Sequence, residues 1–68
     1  MLSSKMYSLC NKYQWFIGGT SEQYDKLFKM VSSGRSAWDL ATAIWLCTPG
    51  VSQADVYNIL CKEGFKDN

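Results

Sequence analysis

Histidine is absent from all 68 residues. That omission removes the commonest general base, the usual partner of a nucleophilic Ser or Cys, and the commonest metal ligand. The groups left for chemistry are three cysteines, Cys10, Cys47 and Cys61, and six carboxylates, Glu22, Asp25, Asp39, Asp55, Glu63 and Asp67. The cysteines are odd in number and form no Cys-x-x-Cys pair, so they read as free thiols of a reducing compartment and not as zinc ligands or a disulfide framework. Cys10 and Cys47 fall on apolar faces, where a thiol behaves as a small hydrophobe, while Cys61 lies at the edge of its segment and is open to partial exposure. General acid–base work would need a pair of carboxylates facing one substrate. Asp39 and Asp55 instead stand three residues after a serine at helix starts, and Glu22 and Asp25 each precede a lysine by four residues, the spacing of a solvated helix-surface pair. Glu63 and Asp67 sit near the end of the sequence. Gly18-Gly19 lacks the surroundings of a phosphate loop. With no nucleophile beside a base, the expectation is a non-enzymatic protein with no cofactor and no metal.

The elements that hold these residues follow from composition and periodicity. Sixty-eight residues make one domain (1–68), near the lower limit at which a core holds itself together without staples. A composition of 47% hydrophobic and 15% aromatic residues with one proline excludes a disordered or low-complexity chain. Seven basic against six acidic residues leave a net charge of +1, which provides no general field toward nucleic acid, anionic membrane or acidic substrate. Behind Lys5 no continuous apolar run develops, so neither a signal peptide nor a membrane anchor is visible, and a cytoplasmic location is expected.

Four helices account for the pattern. Met6, Leu9, Cys10, Tyr13, Phe16 and Ile17 recur at steps of three and four, predicting a first helix over about 4–17, capped by Ser3 or Ser4 and stopped by Gly18-Gly19. Thr20-Ser21-Glu22-Gln23 reads as a capping box opening a second helix over 21–33, with Tyr24, Leu27, Phe28 and Val31 inside. The third, over 37–48, starts at Ser36 and stops at Thr48-Pro49-Gly50. Its segment Ala37 to Cys47 is apolar nearly all the way round, which predicts a buried central helix; it is too short to span a bilayer. Ser52 opens a fourth helix over 53–63, with Val56, Ile59 and Leu60 inside, Gly64 as its stop, and a frayed end over 65–68 from which Phe65 is able to fold back. The architecture expected is all-α, a compact four-helix mini-bundle with the third helix at its centre.

Two functional readings arise from this frame. The segment Leu46 to Leu60 resembles a helix-turn-helix motif, with Gly50-Val51-Ser52 in the turn. On that reading Ser52, Gln53, Ala54, Tyr57, Asn58 and Lys62 are candidate contacts to DNA bases or backbone, Gln and Asn being suited to adenine. The likeness is to a motif and covers about a quarter of the chain. It departs from the pattern at Leu46, where a small residue is usual, and at Asp55, which would face phosphates, and it has few cations to neutralise a backbone. The reading preferred here is a module for binding another protein or a second copy of itself through aromatics that do not fit inside. Trp15 falls opposite the core stripe of the first helix, among Ser8, Asn11 and Lys12. Tyr7 and Met30 lie at the margins of apolar faces, and Trp38 or Trp45 is left at the rim once the third helix is covered. Trp and Tyr are enriched among interface hot spots, so Tyr7, Trp15, Met30, Trp38 and Trp45 form the candidate interface.

Overall fold

Three of the four helix starts follow from serine and threonine hydroxyls placed three residues ahead of a free backbone amide. The computed structural model describes residues 2–16 and 18–67, with Leu2 described through its backbone alone. Its helices are α1 (Leu2–Lys12), α2 (Ser21–Ser32), α3 (Ala37–Leu46) and α4 (Gln53–Lys62). Thr20 and Gln23 form the reciprocal capping box ahead of α2: the Gln23 N–H donates to Thr20 Oγ1 at 3.2 Å and the Thr20 N–H to Gln23 Oε1 at 2.9 Å. Ser36 accepts from the Asp39 N–H at 3.1 Å, and Ser52 from the Asp55 N–H at 3.4 Å. These caps satisfy amides that a helix start otherwise leaves without partners. Among the described residues there is no strand, and the protein is an all-α four-helix mini-bundle.

The first helix departs from expectation at both ends. It begins at Leu2, so Ser3 and Ser4 lie inside its first turn, and it ends at Lys12, well before Gly18-Gly19. The stop is a Schellman turn, in which the Trp15 N–H donates to the Cys10 carbonyl at 2.9 Å and the Gln14 N–H to that of Asn11 at 3.3 Å. Gln14, at φ 56°, takes the left-handed position that glycine usually fills. The same pair of bonds closes α2 around Gly34 and α4 around Gly64. A glutamine carries no such signal in sequence, which is why the helix reads too long. Ile17, the last residue of the expected stripe, lies outside the described residues.

Side chains from all four helices and from the 13–16 and 64–67 segments meet in one core that includes Met6, Leu9, Leu27, Leu40, Ile44, Val56 and Leu60, each under 5% exposed. The helix α3 packs directly on α2 and α4, and α1 packs on α2. The end expected to fray is instead docked: Phe65 is buried, and the Lys66 carbonyl accepts from the Ala37 N–H at 2.8 Å, securing the start of α3. Asn68 lies outside the described residues. At the C-terminus of α4, Lys5 Nζ donates to the Glu63 carbonyl at 2.6 Å, placing a cation where the helix dipole favours it.

Candidate functional site

Of the five aromatic and apolar residues expected at an interface, the structure turns one inward. Trp15 is 4% exposed. The Schellman turn at Gln14 reverses the chain after Lys12, so the helical spacing that put Trp15 opposite the core no longer applies. Its ring stacks on Tyr13 at 5.0 Å between centroids, and Lys12 Nζ lies 5.4 Å from the centre of the Tyr13 ring. Tyr13, expected inside, is thus the partly exposed cover, and Trp15 is the core residue. The signal available in the sequence was the mismatch of Trp15 with an otherwise consistent stripe.

Trp38 and Trp45 come out together on one side of α3, 44% and 41% exposed. With Thr42 they follow the four-and-three spacing of a single helical stripe. The hydroxyl of Thr42 donates to the Trp38 carbonyl at 2.8 Å and accepts from Gln53 Nε2 at 2.7 Å, while the Trp38 ring meets Tyr57 edge-on at 5.2 Å. The Trp38 end of this stripe is therefore braced against α4. Beside this stripe runs a second one, Asp39, Ala43 and Leu46, and Leu46 is 71% exposed, a large aliphatic side chain in water that sequence reasoning did not include in the interface. The outer arc of the most apolar helix thus carries three large apolar side chains to the surface. Tyr7 is exposed elsewhere, beside a shallow depression formed with Ser3, Ser4, Ser8 and Phe28 of α1 and α2.

The second stripe forms one wall of an open groove of about 510 Å³ between α2 and α3. Met30, half-buried, is on the facing wall with Leu27. At one end the floor is Phe16, which holds φ 65° because three hydrogen bonds fix it. Its N–H donates to the buried Thr48 Oγ1 at 2.6 Å, and its carbonyl accepts from the Tyr24 hydroxyl at 3.0 Å and the Gly19 N–H at 2.9 Å. A bulky residue at positive φ costs on the order of 1–3 kcal/mol and persists only where its surroundings over-determine it. Gly19 is required there, since a Cβ would lie 2.4 Å from the Phe16 ring.

The residues of the helix-turn-helix reading divide differently. Ser52 is the cap of α4, and Gln53 is half-buried and bonded to Thr42. The Tyr57 hydroxyl donates to Asp67 Oδ2 at 3.0 Å, and the Cys61 thiol and Asp67 carboxylate beside it push that phenol up to about 12. Ala54, Asn58 and Lys62 are exposed. Of the thiols, Cys10 is buried, Cys47 is half-buried in the groove wall and Cys61 is exposed. Burial pushes the Cys10 thiol up to about 11. Among the described residues no three His, Cys, Asp or Glu side chains gather as a metal site, and no helix is long and apolar enough to cross a membrane. Comparisons with protein-family models, with curated proteins and with solved structures find no match.

Proposed function

We propose that this chain is a small non-enzymatic protein-interaction module, binding a protein partner or a second copy of itself through the outer arc of α3. The observation that carries the reading is the joint exposure of Trp38, Trp45 and Leu46 on one helix of a 68-residue domain. Exposed apolar side chains scattered singly are ordinary, but clustered ones mark interaction surfaces, and tryptophan is the residue most enriched where truncation costs binding. Contacts of Trp38 with Tyr57 and of Thr42 with Gln53 brace the Trp38 end of the surface before a partner arrives, which lowers the ordering cost of association there. Met30 belongs to the same surface through the groove, whereas Tyr7 stands apart and Trp15 belongs to the core. The nucleic-acid alternative has less support, with Gln53 and Tyr57 engaged within the fold and a net charge of +1. Affinity capture with the wild-type chain and a Trp38→Ser, Trp45→Ser double variant, alongside sedimentation of each alone, tests the proposal. A partner or self-association present only in the wild type is expected. Equal capture and equal sedimentation of both proteins would remove it.

A further inference from the structure

The exposed stripe of α3 carries the same residue at both ends. Trp38 and Trp45 stand about 10 Å apart along the helix at 1.5 Å per residue, and they are exposed to nearly the same extent. Thr42 lies close to the midpoint between them. Its hydroxyl donates to the Trp38 carbonyl and accepts from Gln53 Nε2, so covering it leaves no hydroxyl without a partner. The one charged residue of α3 is Asp39, and Arg35 of the same chain pairs with it at 3.2 Å.

A patch of this kind is its own complement. In a two-fold dimer each residue meets the one that stands equally far on the other side of the axis. When the axis passes Thr42 at right angles to the helix, the two copies of α3 run antiparallel and Trp38 of each faces Trp45 of the other. The small Thr42 and Ala43 then lie at the crossing, where helix axes approach to about 8–10 Å, and ring pairs form at both ends. Leu46 comes beside Asp39 of the other copy, whose charge is already matched by its own Arg35. A parallel pair would bring the two Asp39 carboxylates level instead and leave Trp38 and Trp45 at different heights. A net charge of +1 gives two copies little mutual repulsion.

Resting on the interaction reading above, we propose that the partner of the α3 surface is a second copy of this chain, bound antiparallel across a two-fold axis near Thr42. A stable interface uses about 800 Å² per copy, close to a fifth of the 4402 Å² surface here. A ten-residue helix, about 15 Å long and about 10 Å wide, supplies less than that. The dimer therefore belongs to the weak, reversible class, with half-association at roughly 0.1 mM.

The test is sedimentation equilibrium of the full chain between about 10 µM and about 1 mM, a range that brackets that constant, with fluorotryptophan NMR over the same dilution. A monomer–dimer equilibrium is expected, with the Trp38 and Trp45 resonances moving together and that of the buried Trp15 unmoved. In a mixture of labelled and unlabelled chains, isotope-filtered NOEs should join Trp38 of one copy to Trp45 of the other. Trp38→Ser and Trp45→Ser should each weaken the dimer about tenfold or more; both positions are exposed, so the fold is kept, and circular dichroism verifies it. A monomer throughout the range overturns the second copy as partner, while the interaction reading then stands or falls on affinity capture with the double variant. Filtered NOEs between like tryptophans overturn the antiparallel arrangement. A dimer indifferent to both substitutions, or one that moves all three tryptophans alike, overturns the α3 stripe as its seat.

Discussion

Replacing Thr48 by valine keeps the outline of the side chain and removes one oxygen. That oxygen accepts the Phe16 N–H at 2.6 Å across 32 positions of sequence, and Thr48 is 5% exposed, so no water replaces it without opening the structure. The lost bond is worth about 0.5–1.5 kcal/mol net, and a buried amide left without a partner raises the cost to about 1–3 kcal/mol. Phe16 makes the effect less local than an ordinary deletion, because its φ of 65° is held against steric preference by this bond and two others. Releasing it lets the 13–16 segment relax and the ring leave the end of the groove. For a domain this small each kcal/mol moves the midpoint by about 4–8 °C, so a loss of about 1–3 kcal/mol should shift thermal denaturation down by roughly 4–24 °C. Thr48→Ser, which retains the oxygen, should fall well short of that. Hydrogen exchange adds a local readout: protection of the Phe16 amide should drop selectively in Thr48→Val. A midpoint within about 2 °C of wild type, against a smallest expected loss of about 4 °C, or unchanged protection of that amide, would refute the reasoning.

Other perturbations read out the core, the helix stop and the thiols. Ile44 is wholly covered, so Ile44→Ala should cost about 2–5 kcal/mol; a melting shift no larger than that of the exposed Lys26→Ala would contradict its place in the core. Gln14→Gly should stabilise by up to about 1 kcal/mol, since it removes a left-handed penalty of about 1–2 kcal/mol at the cost of glycine's extra chain entropy; a lower melting midpoint would count against the Schellman turn. At about pH 8 a disulfide reagent should modify Cys61 first and Cys10 last, because a thiol pushed from 9.0 to about 11 holds about a hundredfold less thiolate and is buried as well. The same shift fixes an alkaline trend. The folded state favours the neutral thiol, so this contribution is complete below about pH 9 and is lost as pH rises toward about 11, with Tyr57 adding its own loss from about 10 to about 12. Urea midpoints measured across that window should fall, and Cys10→Ala should flatten the slope.

Much of the fold is legible in the sequence because its signals are local. The capping box at Thr20–Gln23 and the serine caps at Ser36 and Ser52 form between residues three apart, and each appears in the structure where the sequence puts it. The end of α1 was not legible, since the left-handed residue is glutamine and a double glycine four residues on offers a more conventional stop. The sides taken by Trp15 and Tyr13 depend on that end and are exchanged with it. The Phe16–Thr48 bond could not be read at all, because it joins positions 32 apart and depends on how two turns meet. At the surface, Trp38 and Trp45 were identifiable as more aromatic bulk than one helix buries. Leu46 carries no such mark in the sequence, because its exposure depends on what α2 and α4 leave uncovered. The ion pair found, Arg35–Asp39, was likewise not among the surface pairs expected from Glu22, Asp25 and their lysines.

A photo-crosslinking residue in place of Leu46 reports directly what lies against the outer arc of α3 in the cell. That position is 71% exposed and bounds both the groove and the tryptophan stripe. On irradiation it should give one or a few discrete adducts, identifiable by mass as a partner protein or a second copy of the chain, and these should vanish when Trp38 and Trp45 are also changed to serine. The same residue placed at the exposed Ser33 should give none of them. Absence of discrete adducts from position 46, or an identical set from both positions, would contradict the account.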